Sequence, residues 1–123
     1  MGECIHTQQS TEEKMETRVV TTENTTIETD GGVNYIRISN TKLNKTSKVR
    51  IEFTNMDIKT PHTIRTEVGC SSCTSANITQ QTEKGFMLDI NYTPKQLGSF
   101  TKSLTIIYDE KRITYKLNGI ATR

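Results

Sequence analysis

Tryptophan is absent, aromatic residues make up 6% of the 123-residue chain, alanine occurs only at Ala76 and Ala121, and proline only at Pro61 and Pro94. The near-absence of alanine removes the strongest helix former, and no stretch shows the 3.6-residue apolar period that other residues could supply in its place. Apolar residues reach 32%, enough for a thin core of Ile, Val, Leu and Phe and for one domain of ordinary size. Long apolar runs are missing too: the longest falls far below the ~18 residues of a membrane-spanning helix. The opening Met1-Gly2-Glu3-Cys4-Ile5-His6 has neither the basic start nor the apolar run of a secretory signal. The expectation is a protein made and folded in a cytosol, with its thiols reduced at synthesis. In that setting the Asn-x-Thr matches at Asn24, Asn44, Asn77 and Asn91 are by-products of a Thr-rich chain. Three cysteines are an odd number, so no complete disulfide framework is expected.

What the chain has in quantity is threonine, a β-branched residue that suits pleated strands. Charge is unevenly spread. The net charge is +2, yet residues 1–30 hold Glu3, Glu12, Glu13, Glu16, Glu23, Glu28 and Asp30 against Lys14 and Arg18, a balance of −5, which leaves +7 on the remainder. The basic residues of the body are scattered among acids and no run of them alternates with aromatics, so nucleic acid is not the expected partner. Residues 1–16 have too little apolar content to offset ordering entropy and read as a polar arm. From Thr17 to Thr29 the β-branched content is high, which predicts an extended edge strand with Val19, Val20 and Ile27 as the interaction residues, open to completion by another chain. Asp30-Gly31-Gly32 is a turn signal and marks the expected boundary between an arm, 1–30, and a body, 31–123.

Strand-like runs recur through the body at the spacing of a sandwich. They are Val33 to Ser39, Ser47 to Asn55, Thr63 to Val68, Phe86 to Tyr92, Phe100 to Tyr108 and Ile113 to Ile120. Alternation is clearest at Val49, Ile51 and Phe53 and at Phe86, Leu88, Ile90 and Tyr92, which puts those residues on one face each. Turns are expected at Pro94 to Gly98, at Asp109-Glu110-Lys111-Arg112 as a tight hairpin, and at Asn118-Gly119 as a kink or bulge.

The order of short motifs is informative. Phe53-Thr54-Asn55 is followed by Cys70-Ser71-Ser72-Cys73-Thr74, then by a Gly85-led strand ending Asn91-Tyr92-Thr93, then by Gly98-Ser99-Phe100-Thr101-Lys102-Ser103-Leu104-Thr105-Ile106, and finally by Leu117-Asn118-Gly119-Ile120. Over residues 33–123 this resembles the bacterial immunoglobulin-like family of unknown function related to Hydin-type and major-sperm-protein-like domains. The resemblance implies an all-β, single immunoglobulin-like sandwich of about seven strands that serves protein contacts. It also implies that Cys70 and Cys73 are a loop pair packed under the sandwich end, reduced or incidentally bridged. The cysteine spacing, Met56-Asp57 in place of a glycine, and the missing export signal depart from the family pattern.

Cys70-x-x-Cys73 is the one motif with chemistry to weigh. A structural zinc site needs four ligands, and Cys4 and His6 in the arm, or His62, are the only residues that could complete it. A redox pair needs a helix N-terminus to lower a thiol pKa, and the motif falls in a β-loop. His6 and His62 lack a nucleophile and acid in a catalytic frame, the seven glycines are dispersed, and Glu12-Glu13 and Asp109-Glu110 read as solvated faces. The expectation is therefore no enzyme, no cofactor and no resident metal, with Cys70, Cys73, Cys4 and His6 as the only zinc candidates. The function expected is a structural protein–protein interaction module, an auxiliary or decoration protein on the capsid of a tailed bacteriophage, for instance of the crAss-like group. Its partner is then the major capsid protein or another virion subunit, and neither nucleic acid nor membrane. The alternative is an Ig-like adhesion or adaptor domain of a bacterial protein, zinc-stabilised if the four ligands meet.

Overall fold

A computed structural model describes residues 15–21 and 25–123. Nine strands are present among them: β1 (Glu16–Val19), β2 (Thr25–Asp30), β3 (Val33–Lys42), β4 (Ser47–Thr54), β5 (Arg65–Val68), β6 (Thr74–Thr82), β7 (Gly85–Tyr92), β8 (Gly98–Tyr108) and β9 (Lys111–Thr122). One 3₁₀ turn, Pro61–Thr63, begins on the proline whose fixed φ suits a first helical position. The strands form two stacked sheets, ordered β1-β4-β7-β6 and β2-β3-β9-β8-β5. This is the all-β Ig-like sandwich expected from the alternating runs.

The period-2 pattern decides which side chains enter the core. Along β4 and β7, Val49, Ile51, Phe53, Phe86, Leu88, Ile90 and Tyr92 are buried, while Lys48, Arg50, Glu52, Met87 and Asp89 point out. Ile36, Ile38, Leu104, Ile106, Tyr115 and Leu117 face them from the other sheet. Aromatic pairs join the layers at both ends. Phe53 stacks on Phe86 at 4.6 Å and meets the edge of Tyr115 at 6.1 Å, and Tyr92 stacks on Phe100 at 4.5 Å.

Three features differ from the sequence expectation. The stretch 17–29 is two edge strands, one per sheet: β1 pairs with β4, Val19 opposite Ile51, and β2 pairs with β3, Ile27 opposite Ile36. The Asp30-Gly31-Gly32 turn therefore closes the β2–β3 hairpin. The strand β6 was not anticipated, because only Ala76 and Ile78 interrupt its polar run. It is formed by pairing with β7. Thirdly, the bulge expected at Asn118-Gly119 lies on the neighbouring strand: β9 runs through, while the β3 register slips between Ile38 and Thr41, with Asn40 at φ 60°. An added Cβ on Gly119 would lie 2.5 Å from the Ile38 carbonyl oxygen and 2.8 Å from the Phe100 ring, so this close approach excludes any side chain.

The β3–β9 pair is parallel, all other pairs antiparallel. At one end lie the β2–β3, β6–β7 and β8–β9 turns and the β4–β5 loop; at the other lie the β3–β4, β5–β6 and β7–β8 connections.

Candidate functional site

The four cross-sheet or cross-strand ion pairs among the described residues lie on the two outer faces. On the four-stranded sheet Arg50 makes two bonds to Asp89, at 2.6 and 3.1 Å, and Arg18 pairs with Glu52. Asp89 raises the Arg50 pKa, first through the hydrogen bond and then through its charge. On the five-stranded sheet Arg37 pairs with Glu28 and Arg112 with Glu67, both at 2.8 Å. Exposed pairs of this kind are worth little each, and Lys48, on the outer face of the four-stranded sheet, has no ion pair among the described residues.

The outward row of the five-stranded face ends on Ile120, which is 62% exposed, beside a shallow groove of about 430 Å³ lined by Arg37, Ser39, Ser99, Thr101 and Asn118. Ile120 is a single exposed apolar side chain among hydroxyl, amide and guanidinium groups.

The sheet edges are the second surface. Neither β1 nor β2 has a strand on its outer side among the described residues, and both lie on the same flank. Of the three residues singled out in this region, Val19 and Ile27 turn toward the core and are half-buried, and Val20 is 37% exposed. The backbone N–H of Val20 donates to the Arg50 carbonyl at 2.8 Å, which extends the β1 edge by one residue. The opposite flank is partly closed, since the Thr66 hydroxyl on β5 donates to the Ala76 carbonyl on β6 at 3.3 Å.

The third is the end that holds the β5–β6 loop. Here Cys70 and Cys73 are joined by a disulfide, so of the two states left open for the pair the structure holds the bridged one. The loop is a turn: the Cys73 and Thr74 N–H groups donate to the Cys70 carbonyl, and Thr93 N–H donates to the Cys73 carbonyl, tying it to the β7–β8 connection. A cleft of about 350 Å³ opens between them, lined by the disulfide, Tyr92, Lys95, Leu97, Phe100 and Lys102. Among the described residues no three His, Cys, Asp or Glu side chains gather as metal ligands. Cys4 and His6 lie outside the described residues.

Asp109 shows what the carboxylates at the other end do. Its two oxygens accept the Lys59 N–H at 2.7 Å, the Thr60 N–H at 3.0 Å and the Thr60 hydroxyl at 2.8 Å. The bond from Lys59 leads in holding its pKa below the ordinary carboxylate value, followed by that from the Thr60 hydroxyl. The expected solvated turn acid is thus an anchor for the β4–β5 loop, and only the fold could have shown it.

Residues 32–120 match the family model of the HYDIN/CFA65/VesB-like Ig-like domain. The chain belongs to that family. No curated protein is similar enough in sequence to match. Among solved structures, this Ig-like domain is similar to part of a family 123 glycoside hydrolase from Clostridium perfringens, with 8% identity and a TM-score of 0.53; the likeness covers 88% of the chain and 27% of the hydrolase. The chain thus spans about a quarter of that protein, and what the two share is the sandwich. It is also similar to the ASH/PapD-like domain 7 of human CEP192, with 10% identity, a TM-score of 0.45, and coverage of 90% of the chain and 87% of that domain. Ig-like domains commonly mediate protein–protein contact.

Proposed function

We propose that this Ig-like domain is a non-catalytic structural module that attaches to a larger protein assembly, the capsid of a tailed bacteriophage. In this reading it is an auxiliary, decoration subunit made in the host cytoplasm and carried on the virion surface. Its partner is the major capsid protein or a neighbouring virion subunit. The observation that supports attachment is the pair of open edges, β1 and β2, on one flank. A free row of backbone N–H and C=O groups is completed by a strand from another chain, which gives affinity without a deep pocket. A capsid suits such a module because it repeats one landing surface many times.

The test is sedimentation of purified capsids with the chain added, with bound copies counted by quantitative mass spectrometry and amide exchange followed in the bound state. Saturable occupancy with new protection in β1 and β2 is the expected result. Val20→Asp, which places a charge at the end of the β1 edge, should weaken occupancy about tenfold, the equivalent of ~1.4 kcal/mol. Absence of co-sedimentation at micromolar concentration, or protection confined to other strands, would discard the reading in favour of an adhesion or adaptor domain.

A further inference from the structure

The register of the sheets sorts the charges of the body by end. Lys42 sits opposite Thr122, Lys48 opposite Asn91, and Gly98 opposite Ala121. The Asn44 N–H donates to the Pro94 carbonyl and the Thr93 N–H to the Cys73 carbonyl. These pairings gather Lys42, Lys45, Lys48, Lys95, Lys102 and Arg123 at the end that holds the disulfide loop. No acid occurs in 39–51, 68–82, 90–108 or 113–123, the segments that build it. None of those six cations is in an ion pair among the described residues. The nearest carboxylate along the β4–β7 ladder, Asp89, is held by Arg50, two residues along β4 from Lys48.

The other end carries the opposite excess. Glu16 lies opposite Thr54, Asp30 and Glu83 sit at hairpin turns, Asp57 is in the β4–β5 loop and Glu110 in the β8–β9 turn. All five are exposed, against Lys59, Arg65, Lys84 and Lys111 at the same end. Met15, the first of the described residues, lines a pocket with Asn55, Met56 and Tyr108 at this end. Strand β1 then runs from this acidic end toward the basic one. A body polarised along its length in this way has complementary ends that it cannot bring together by itself.

We propose that copies of the chain associate end to end in one direction, the acidic end of one copy meeting the basic end of the next. Such a contact is heterologous, so it builds rings or filaments and does not stop at a dimer. The basic cleft between the disulfide loop and the β7–β8 connection receives carboxylates on Lys95 and Lys102, with Leu97 and the Phe100 ring beside them for apolar contact. A nucleic acid fits less well. The lysines come singly from separate connections and not as a stripe, and the aromatic rings at this end are buried or half-buried. The contact is independent of capsid attachment, which uses the sheet edges.

The test is sedimentation velocity on the full chain and two charge-reversed full-length variants, each checked for an unchanged β-type circular dichroism spectrum. One reverses the acidic end, Glu16→Lys, Asp57→Lys and Glu83→Lys. The other reverses the basic end, Lys45→Glu, Lys48→Glu and Lys95→Glu. The wild-type chain should form larger species with rising concentration in ~20 mM salt, and its apparent affinity should fall at least tenfold by ~300 mM. Each variant alone should be monomeric, because its two ends then carry like charge. An equimolar mixture of the two should associate again, since every acidic end now faces a basic one. The proposal fails if the wild type stays monomeric at every concentration in low salt, or if the folded variants do not restore association on mixing. It fails equally if a short DNA duplex binds the basic end while the chain shows no association with itself.

Discussion

Gly85 lies beneath the backbone of Phe53: a Cβ there would stand 1.9 Å from the Phe53 carbonyl oxygen and 2.8 Å from its carbon. Backbone of a central strand cannot move aside as a side-chain tip can, so Gly85→Ala should cost about 3 kcal/mol, the upper part of the overpacking range. Urea denaturation measures it. Phe53→Ala removes the ring that touches both Phe86 and Tyr115, and should cost about 3–5 kcal/mol. Two titrations act in opposite pH ranges. Asp109 has a depressed pKa, so its contribution is present above the ordinary carboxylate value and is lost as the pH falls through the folded one. Asp109→Asn should therefore lower the urea midpoint at neutral pH, with the difference vanishing on acidification. Burial, with a smaller contribution from Tyr108, pushes Tyr115 up to about 12. Its stabilisation is complete below pH ~10 and lost as the pH rises toward 12, roughly 2–3 kcal/mol across that window. Tyr115→Phe should flatten this part of the pH profile.

At the scale of an element, the β8–β9 hairpin is the sharpest case. Two residues, Asp109 and Glu110, connect Tyr108 to Lys111, with φ of 49° and 66°. A two-residue turn with both φ positive prefers Asp-Gly or Asn-Gly. Asp109 is retained for its bonds to the β4–β5 loop, while Glu110 is exposed and holds a left-handed conformation that costs an L-residue ~1–2 kcal/mol. Glu110→Gly should then stabilise the domain by about 0.5–1 kcal/mol, after the greater entropy of glycine in the unfolded chain is subtracted. A rise in the thermal midpoint checks it, and no rise would mean that Glu110 has a role in the turn beyond its backbone. The edge strands teach a different lesson: β1, β2 and β6 carry only Val19, Ile27, Ala76 and Ile78 as inward apolar residues, too sparse for their own periodicity to define them. Their pairing to β4, β3 and β7 does so.

For the whole molecule, the two ends differ in charge and the two flanks differ in closure. The five-stranded face presents Ile120 beside a shallow groove. If that groove is part of the proposed capsid contact, Ile120→Lys should lower occupancy on the particle while changing stability in urea by no more than ~0.5 kcal/mol, as surface substitutions do. An unchanged occupancy would confine the contact to the β1 and β2 edges.

Strict alternation at Val49-Ile51-Phe53 and Phe86-Leu88-Ile90-Tyr92 was enough to identify the central strands, their inward faces and the all-β class, because a strand buried on one face writes its period directly into the residues. The scarcity of alanine and the turn residues at Asp109-Glu110 did the same for the absence of long helices among the described residues and for the β8–β9 hairpin, whereas Asp30-Gly31-Gly32 reads as a boundary and closes the β2–β3 hairpin. The division of 17–29 between two sheets was decided only by tertiary structure. So were the parallel pairing of β3 with β9, the bulge opposite Gly119, and the anchoring of the β4–β5 loop by Asp109. Each joins residues far apart in the chain, and their complementarity exists only once the layers are stacked. The polarity of the ends is intermediate. The acidic start was visible in the sequence, but lysines at 42, 48, 95 and 102 become one surface only because antiparallel and parallel registers bring four separate segments to the same end.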